Sequence, residues 1–186
     1  MVLPIYTFGA DVLRNPATDV EGDSPELQAL IDDMFETLAG ASGIGLAAPQ
    51  VGKSIRLFVV DLSPIRADLE EDGEQVPETP LVFINPTLED ESSDLVTYEE
   101  GCLSIPDVRE EVDRPGSIRI RFLDRNFEQQ ELETEGMVAR VIQHEYDHLD
   151  GVLFIDHLSS FRRSLLRRRL KEMSSGNVEA DYPLAV

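Results

Sequence analysis

The 186-residue sequence has no tryptophan, three histidines, one cysteine (Cys102) and two lysines (Lys53 and Lys171). One cysteine excludes an internal disulfide and leaves the thiol free for chemistry. No apolar run approaches the ~20 residues that span a bilayer. The opening Met1-Val2-Leu3-Pro4-Ile5-Tyr6 lacks the basic segment and long apolar stretch of a secretory signal. The expectation is a cytoplasmic protein with no membrane partner. Positive charge is also scarce: 16 Lys and Arg stand against 37 Asp and Glu, a formal net charge of -21. Such a field disfavours binding to free DNA or RNA. Acidic excess with few lysines resembles proteins adapted to high salt, where ions screen self-repulsion. A denaturation series against KCl tests this, and equal stability at low and molar salt would remove it.

What is present suits one domain with a sizeable core. Ser24-Pro25-Glu26 reads as a helix start, with Ser24 as N-cap and Pro25 in the first helical position. Leu27, Leu30, Ile31, Met34, Phe35 and Leu38 keep helical spacing until Gly40 or Gly43. Strands are expected over 55–62, 81–88, 95–98, 118–122 and 127–132, and 64–80 reads as a polar, acid-rich loop. A helix is expected over about 135–149 and stops at Gly151. A last one, over about 160–173, has Phe161, Leu165, Leu166, Leu170 and Met173 as its apolar stripe, with five arginines and Lys171 elsewhere. Residues 1–174 form the expected catalytic domain, and 175–186 a loosely ordered tail. Strands mostly precede the second long helix, which favours α+β over alternating βαβ.

That helix carries the chemistry. His144-Glu145-Tyr146-Asp147-His148 holds two of the three histidines. An i, i+4 pair presents both imidazoles on one face, ~6 Å apart along the axis, so both can bind one metal ion. Glu145 is turned about 100° from His144 and about 60° from His148, near the metal without being a ligand, as a general base must be. A third ligand is needed. One zinc-protease class would place a histidine at 154, where Phe154 stands. Glu172 lies on the arginine-rich helix and follows no matching motif. His157 reads first as a polar residue before the last helix. Cys102 remains: a lone cysteine is often a small core residue, but Gly101 before it lets a bulky group approach. A thiolate and two imidazoles leave one position for water.

Three segments, Gly43 to Gly52 (GIGLAAPQVG), Glu100 to Pro106 (EGCLSIP) and Gln143 to Gly151 (QHEYDHLDG), resemble the three motifs of bacterial peptide deformylases, in the same order. Leu3-Pro4-Ile5 and Val12-Leu13-Arg14 are similar to that family's opening segment. The resemblance covers residues 1 to about 170, but neither the acidic stretch 66–79 nor the tail after 174. It implies an α+β fold with antiparallel sheets packed around the helix that bears HExxH, an N-terminal helix and a basic C-terminal helix. It implies hydrolysis of the formyl group from formyl-methionine on nascent chains. Cys102, His144 and His148 would hold one divalent ion: Fe2+ in the native state, with Zn2+, Ni2+ or Co2+ able to replace it. Glu145 would shuttle the proton, and the Gln50 amide and Leu103 N–H would face the oxyanion. Ile44 and Gly45 resemble the edge that pairs with the substrate backbone, beside Gly101. Tyr98, Met137 and Val141 are candidates for the methionine pocket, with ordinary core as the alternative. Arg109 matches a position near the substrate's C-terminal side, or is a solvated surface residue. Glu100 and Arg114 are candidates to pair behind Cys102, whereas Arg140 reads as solvated. The basic helix is either a ribosome-docking face or a solvated one. A monomer is expected. The rival readings are a zinc peptidase and a non-catalytic ribosome-binding homologue.

Overall fold

The computed structural model describes residues 1–185. The chain opens with a short strand β1 (Ile5–Tyr6) and then forms helix α1 (Pro25–Gly40). The Ser24 hydroxyl accepts from Leu27 N at 3.1 Å, and Pro25 fills the first helical position, so α1 starts where its capping residues dictate. Next come β2 (Gly45–Ala47), β3 (Leu57–Val60), a short helix α2 (Arg66–Glu71) and β4 (Leu81–Glu91). A hairpin follows, β5 (Leu95–Cys102) and β6 (Ile105–Pro115), then β7 (Ser117–Leu123) and β8 (Gln129–Glu135). Helices α3 (Gly136–Leu149) and α4 (Ser160–Ser174) precede the final strand β9 (Leu184–Ala185).

The strands form a five-stranded antiparallel sheet in the order β2-β3-β4-β7-β8, the separate β5-β6 hairpin and a parallel β1-β9 pair. This is an α+β fold. Every residue of β3 is buried, because helices cover both faces of the sheet. Phe58 and Val60 point into the layer with Phe83, Phe122, Val138, Ile142 and Leu149, beneath α3. Leu57 and Val59 point the other way, onto Ile31, Met34 and Leu38 of α1. The rings of Phe58 and Phe83 stack at 4.5 Å, and those of Phe83 and Phe122 meet at 4.2 Å. A third cluster joins Ile105, Val108 and Val112 of the hairpin to Phe154, Ile155, Leu170 and Met173. Together these layers hold α3 against the sheet on one side and the hairpin on the other.

Several elements differ from expectation. The acidic stretch is not all loop: α2 interrupts it, and Leu69 is buried in the α3 layer. Strand β6 falls where no element was expected. Its inward positions include Glu110 and Arg114, buried charges that disguise the alternation. The expected stripe on α4 splits: Leu170 and Met173 are buried, whereas Phe161 and Leu165 are 70% and 59% exposed. The apolar contact of α4 with the hairpin is made by its C-terminal half, while its first turn meets the hairpin through the Arg162 and Glu110 ion pair. The tail is seated rather than loose up to Ala185: Leu184 and Ala185 pair with Ile5 and Tyr6. Val186 lies outside the described residues.

Candidate active site

α3 begins at Gly136, whose φ of 64° suits a residue without Cβ. Its first free N–H groups are met from the acidic stretch, where the Glu74 carboxylate accepts from Met137 N at 3.0 Å and Val138 N at 3.4 Å. Farther along, Val138, Ile142 and Leu149 face the sheet. His144, Glu145 and His148 are also buried, on the face that meets β2 and the end of β5.

The two imidazoles lie with ring centroids 5.2 Å apart. The end of β5 delivers Cys102, whose Sγ is 3.4 Å from His148 Nε2. One ligand atom from each of Cys102, His144 and His148 falls within 4.8 Å of the other two. His144 Nδ1 meets Glu100 Oε1 at 2.8 Å, which leaves its Nε2 for the cluster. Burial holds His148 well below the usual histidine range, a shift toward the neutral imidazole that ligates. Soft thiolate and borderline imidazoles suit Fe2+, Zn2+, Ni2+ and Co2+ alike. The donor chemistry, the burial and the oriented His144 together fit one such ion.

Glu145 stands against the edge strand. A Cβ at Gly45 would fall within the Glu145 carboxylate, so glycine there makes the room. Glu145 Oε2 is buried with no hydrogen-bond partner among the described residues, and burial pushes the carboxyl up to about 7. That value suits a group that takes and returns a proton near neutrality.

Gln50 sits on the helical turn Ala48–Val51, 1% exposed, not on the surface. Its Oε1 accepts from Ala47 N at 2.8 Å, which fixes the orientation of the amide. Its Nε2 then reaches Ser104 Oγ at 3.2 Å and Cys102 Sγ at 3.5 Å. Leu103 and Ser104 form the two-residue connection of the hairpin, closed by the Cys102 and Ile105 pair.

Behind His144 lies a buried ionic frame. Glu100 accepts from Arg114 Nε at 2.7 Å, Arg114 Nη2 at 3.0 Å and Arg140 Nη1 at 2.8 Å. Burial alone would raise Glu100, but His144 and Arg114 outweigh it and hold the carboxyl well below the usual range. Arg114 Nη1 also reaches Asp147 Oδ2 at 2.6 Å, and His157 Nε2 meets that same oxygen at 2.7 Å. Arg140 is not solvated: it is 3% exposed and donates to Val112 O, Val96 O and Glu100. The frame needs its charge, which is why it is buried.

The remaining candidates divide. Ile44, Met137 and Val141 pack into one cluster beside α3. Tyr98 faces the frame instead, with the Arg140 guanidinium 5.1 Å from its ring centroid. Arg109 lies over Gly101 and 3.8 Å from Glu99, largely exposed. Phe154, at the position of the missing third histidine, stacks on His144 with centroids 6.0 Å apart. Sequence reasoning missed Ser104, Glu74 and Tyr182. Ser104 lay within the EGCLSIP motif, which was the one signal available; the other two fall in segments without a motif.

Antiparallel strands wrapped around a helix that carries His-Glu-x-x-His, with a thiol facing the pair and a buried glutamate beside it, define a hydrolase class. The sequence model of that class described as polypeptide deformylase matches residues 2–164, and the chain belongs to this family. A peptide deformylase of Salinibacter ruber is 60% identical over 184 residues, which cover 99% of this chain and 94% of that one. A peptide deformylase of Cytophaga hutchinsonii is 47% identical, over 98% and 96% of the two chains. The crystal structure of peptide deformylase from Ehrlichia chaffeensis matches with a TM-score of 0.85 at 34% identity, covering 95% of this chain and 99% of that one. A second structure of the Ehrlichia enzyme is a complex with actinonin, with a TM-score of 0.83 at 34% identity, over 96% and 99% of the chains. The chain is accordingly an enzyme of the hydrolase class. Among the described residues, no helix is long and apolar enough to cross a membrane.

Proposed function

We propose that the protein removes the formyl group from the N-terminal formyl-methionine of nascent chains, releasing formate. The observation that carries this is the convergence of Cys102, His144 and His148 within 4.8 Å, with Glu145 Oε2 beside them and without a partner among the described residues. Cys102, His144 and His148 would hold one divalent ion, with Fe2+ in the cell. When bound, such an ion lowers the pKa of water toward ~7 and polarises a carbonyl.

The protein's own residues do the rest. Glu145 takes the proton of the attacking water and delivers it to the departing amine, a double duty that its raised pKa permits. As the formyl carbon becomes tetrahedral, its oxygen gains charge. Gln50 Nε2 and Leu103 N–H are the donors aimed at that charge. The outer edge of β2, which ends the five-stranded sheet, offers Gly45, with Ile44 just before it, for pairing with the substrate backbone. Met137 and Val141 line the methionine side, with Gly101 and Arg109 on the side of the following residues, whereas Tyr98 packs on the Arg140 guanidinium of the frame. Residues 1–174 carry the chemistry, and the protein works as a cytoplasmic monomer. The basic α4, with Phe161 and Leu165 exposed, is the face that meets the ribosome.

Formate release from a formyl-methionyl peptide, with metal analysis after anaerobic purification, tests the reading. Metal-loaded protein is expected to release formate; cleavage of internal bonds instead would make it a peptidase. Cys102→Ala is expected to lose most of its metal, and an unchanged metal content would assign the third ligand elsewhere.

A further inference from the structure

The connection between β5 and β6 is a two-residue turn whose carbonyls cannot join the hairpin ladder and need partners elsewhere. Both find them in the β1-β9 region. Phe8 N donates to Ser104 O at 2.9 Å, and the Tyr182 hydroxyl donates to Leu103 O at 2.8 Å. Tyr182 leads into β9, which is itself tied down: Ile5 N donates to Pro183 O at 2.9 Å and Thr7 N to Ala185 O at 3.0 Å. On its other side, the Leu103 side chain fills the space left by Gly43, where a Cβ would lie 3.0 Å from Leu103 Cδ1. Leu103 is thus gripped by side chain and by carbonyl, on opposite sides of the turn.

We infer that residues 177–185 form a strap over the oxyanion turn, and that Tyr182 is a positioning residue that holds Leu103 so that its N–H points at the reacting oxygen. This rests on the reading that counts the Leu103 N–H among the oxyanion donors. The Leu103 N–H belongs to the peptide plane before its Cα and the carbonyl to the plane after it, so Tyr182 does not hold the N–H directly. With the carbonyl tied on one side and the side chain wedged against Gly43 on the other, the Leu103 Cα cannot shift, and the plane that carries the N–H keeps its place. Tyr182 touches neither substrate nor metal; it acts through Leu103.

Tyr182→Phe removes only the hydroxyl and keeps the ring packed in the α1 layer. In the metal-loaded full chain, kcat is expected to fall about tenfold, in line with a misplacement of under an ångström. KM, metal content and Tm should stay near wild type, and amide exchange at Leu103 and Ser104 should quicken. Unchanged exchange at the turn overturns the strap, whatever kcat does. Faster exchange with unchanged kcat overturns the link from strap to chemistry. A loss of activity that tracks lost metal or a lowered Tm overturns positioning in favour of plain stability. Failure of the underlying reading shows separately, as wild-type protein that releases no formate while its exchange pattern still reports on the turn.

Discussion

On the side of α3 that faces the hairpin, Glu100, Arg114, Arg140 and Asp147 leave none of their buried side-chain atoms unpartnered among the described residues. On the side that faces β2, Glu145 Oε2 is buried without a partner among the described residues. The two sides are about equally dry: Glu100 is 5% exposed and Glu145 is 4% exposed. Burial raises both carboxyls, yet Glu100 ends well below the usual range and Glu145 at about 7. The difference is company. Two arginines and His144 surround Glu100, whereas Glu145 faces a glycine. A saturated frame fixes His144, and an unsaturated site keeps its free energy for chemistry.

Making Glu145 uncharged probes the unsaturated side. Glu145→Gln is expected to lower kcat by about 10⁴, at the upper end for a general acid–base group, with the metal retained. The same change should stabilise the metal-free fold at neutral pH. A carboxyl raised from 4.5 to about 7 binds its proton more tightly when folded, so wild-type stability declines as pH rises through that window. The variant should show a flatter profile in urea denaturation. Robust formate release would remove Glu145 from the proton-shuttle role.

Glu100→Ala probes the saturated side. It leaves Arg114 and Arg140 buried without their shared carboxylate, a loss of about 3–5 kcal/mol. Here the sign reverses: the stability Glu100 contributes is full above its unfolded pKa near 4.5 and is lost as pH falls toward its depressed folded value. Denaturation midpoints of wild type and variant should therefore converge in acid. Midpoints that stay equally far apart at all pH would show that packing, not charge, is what Glu100 supplies.

How much of this was legible in the sequence follows from how local each feature is. His144, Glu145 and His148 share one helical turn, so spacing alone aligns them. Cys102 lies far from the histidine pair in sequence and was reached by setting aside the other candidate ligands, whereas Gln50 was joined to the site only by the resemblance of its flanking segment. Arg140 was misread because a lone arginine on a helix resembles a surface residue, and its partner Glu100 is 40 positions away. Strand β6 was missed for the same reason: Glu110 and Arg114 turn inward because Arg162 and Glu100 receive them. The split stripe of α4 reflects a helix longer than the surface it packs on. For Arg140 and β6 a long-range pairing overrode the local pattern.

Between the two sides lies Gln50, buried, with Ala47 N–H on its oxygen and Ser104 taking one of the two N–H groups of its nitrogen. If its remaining capacity serves the oxyanion, Gln50→Ala should lower kcat by about 10²–10³ with little change in KM. A change in KM alone would make it a binding residue. Gln50→Glu keeps the Ala47 contact and removes the donor, so it should lose as much as Ala does.

The smallest effect lies at the start of α3, where the acidic stretch meets the helix that both sides share. α3 has no side-chain cap of its own, and Glu74 takes the Met137 and Val138 N–H groups from 63 and 64 positions away. Glu74→Ala is expected to lower stability by about 1 kcal/mol, as for lost N-caps generally, with kcat per folded molecule unchanged. Glu74→Gln keeps an acceptor oxygen but gives up the favourable charge at the positive helix end, a further term of about 0.3–1 kcal/mol at low ionic strength. The difference between wild type and Gln should therefore shrink in molar KCl, while the difference between Gln and Ala should not. Were both gaps to vanish in salt, Glu74 would be a point charge near α3 rather than its cap. The acidic stretch would then have no structural claim on the helix that carries the site.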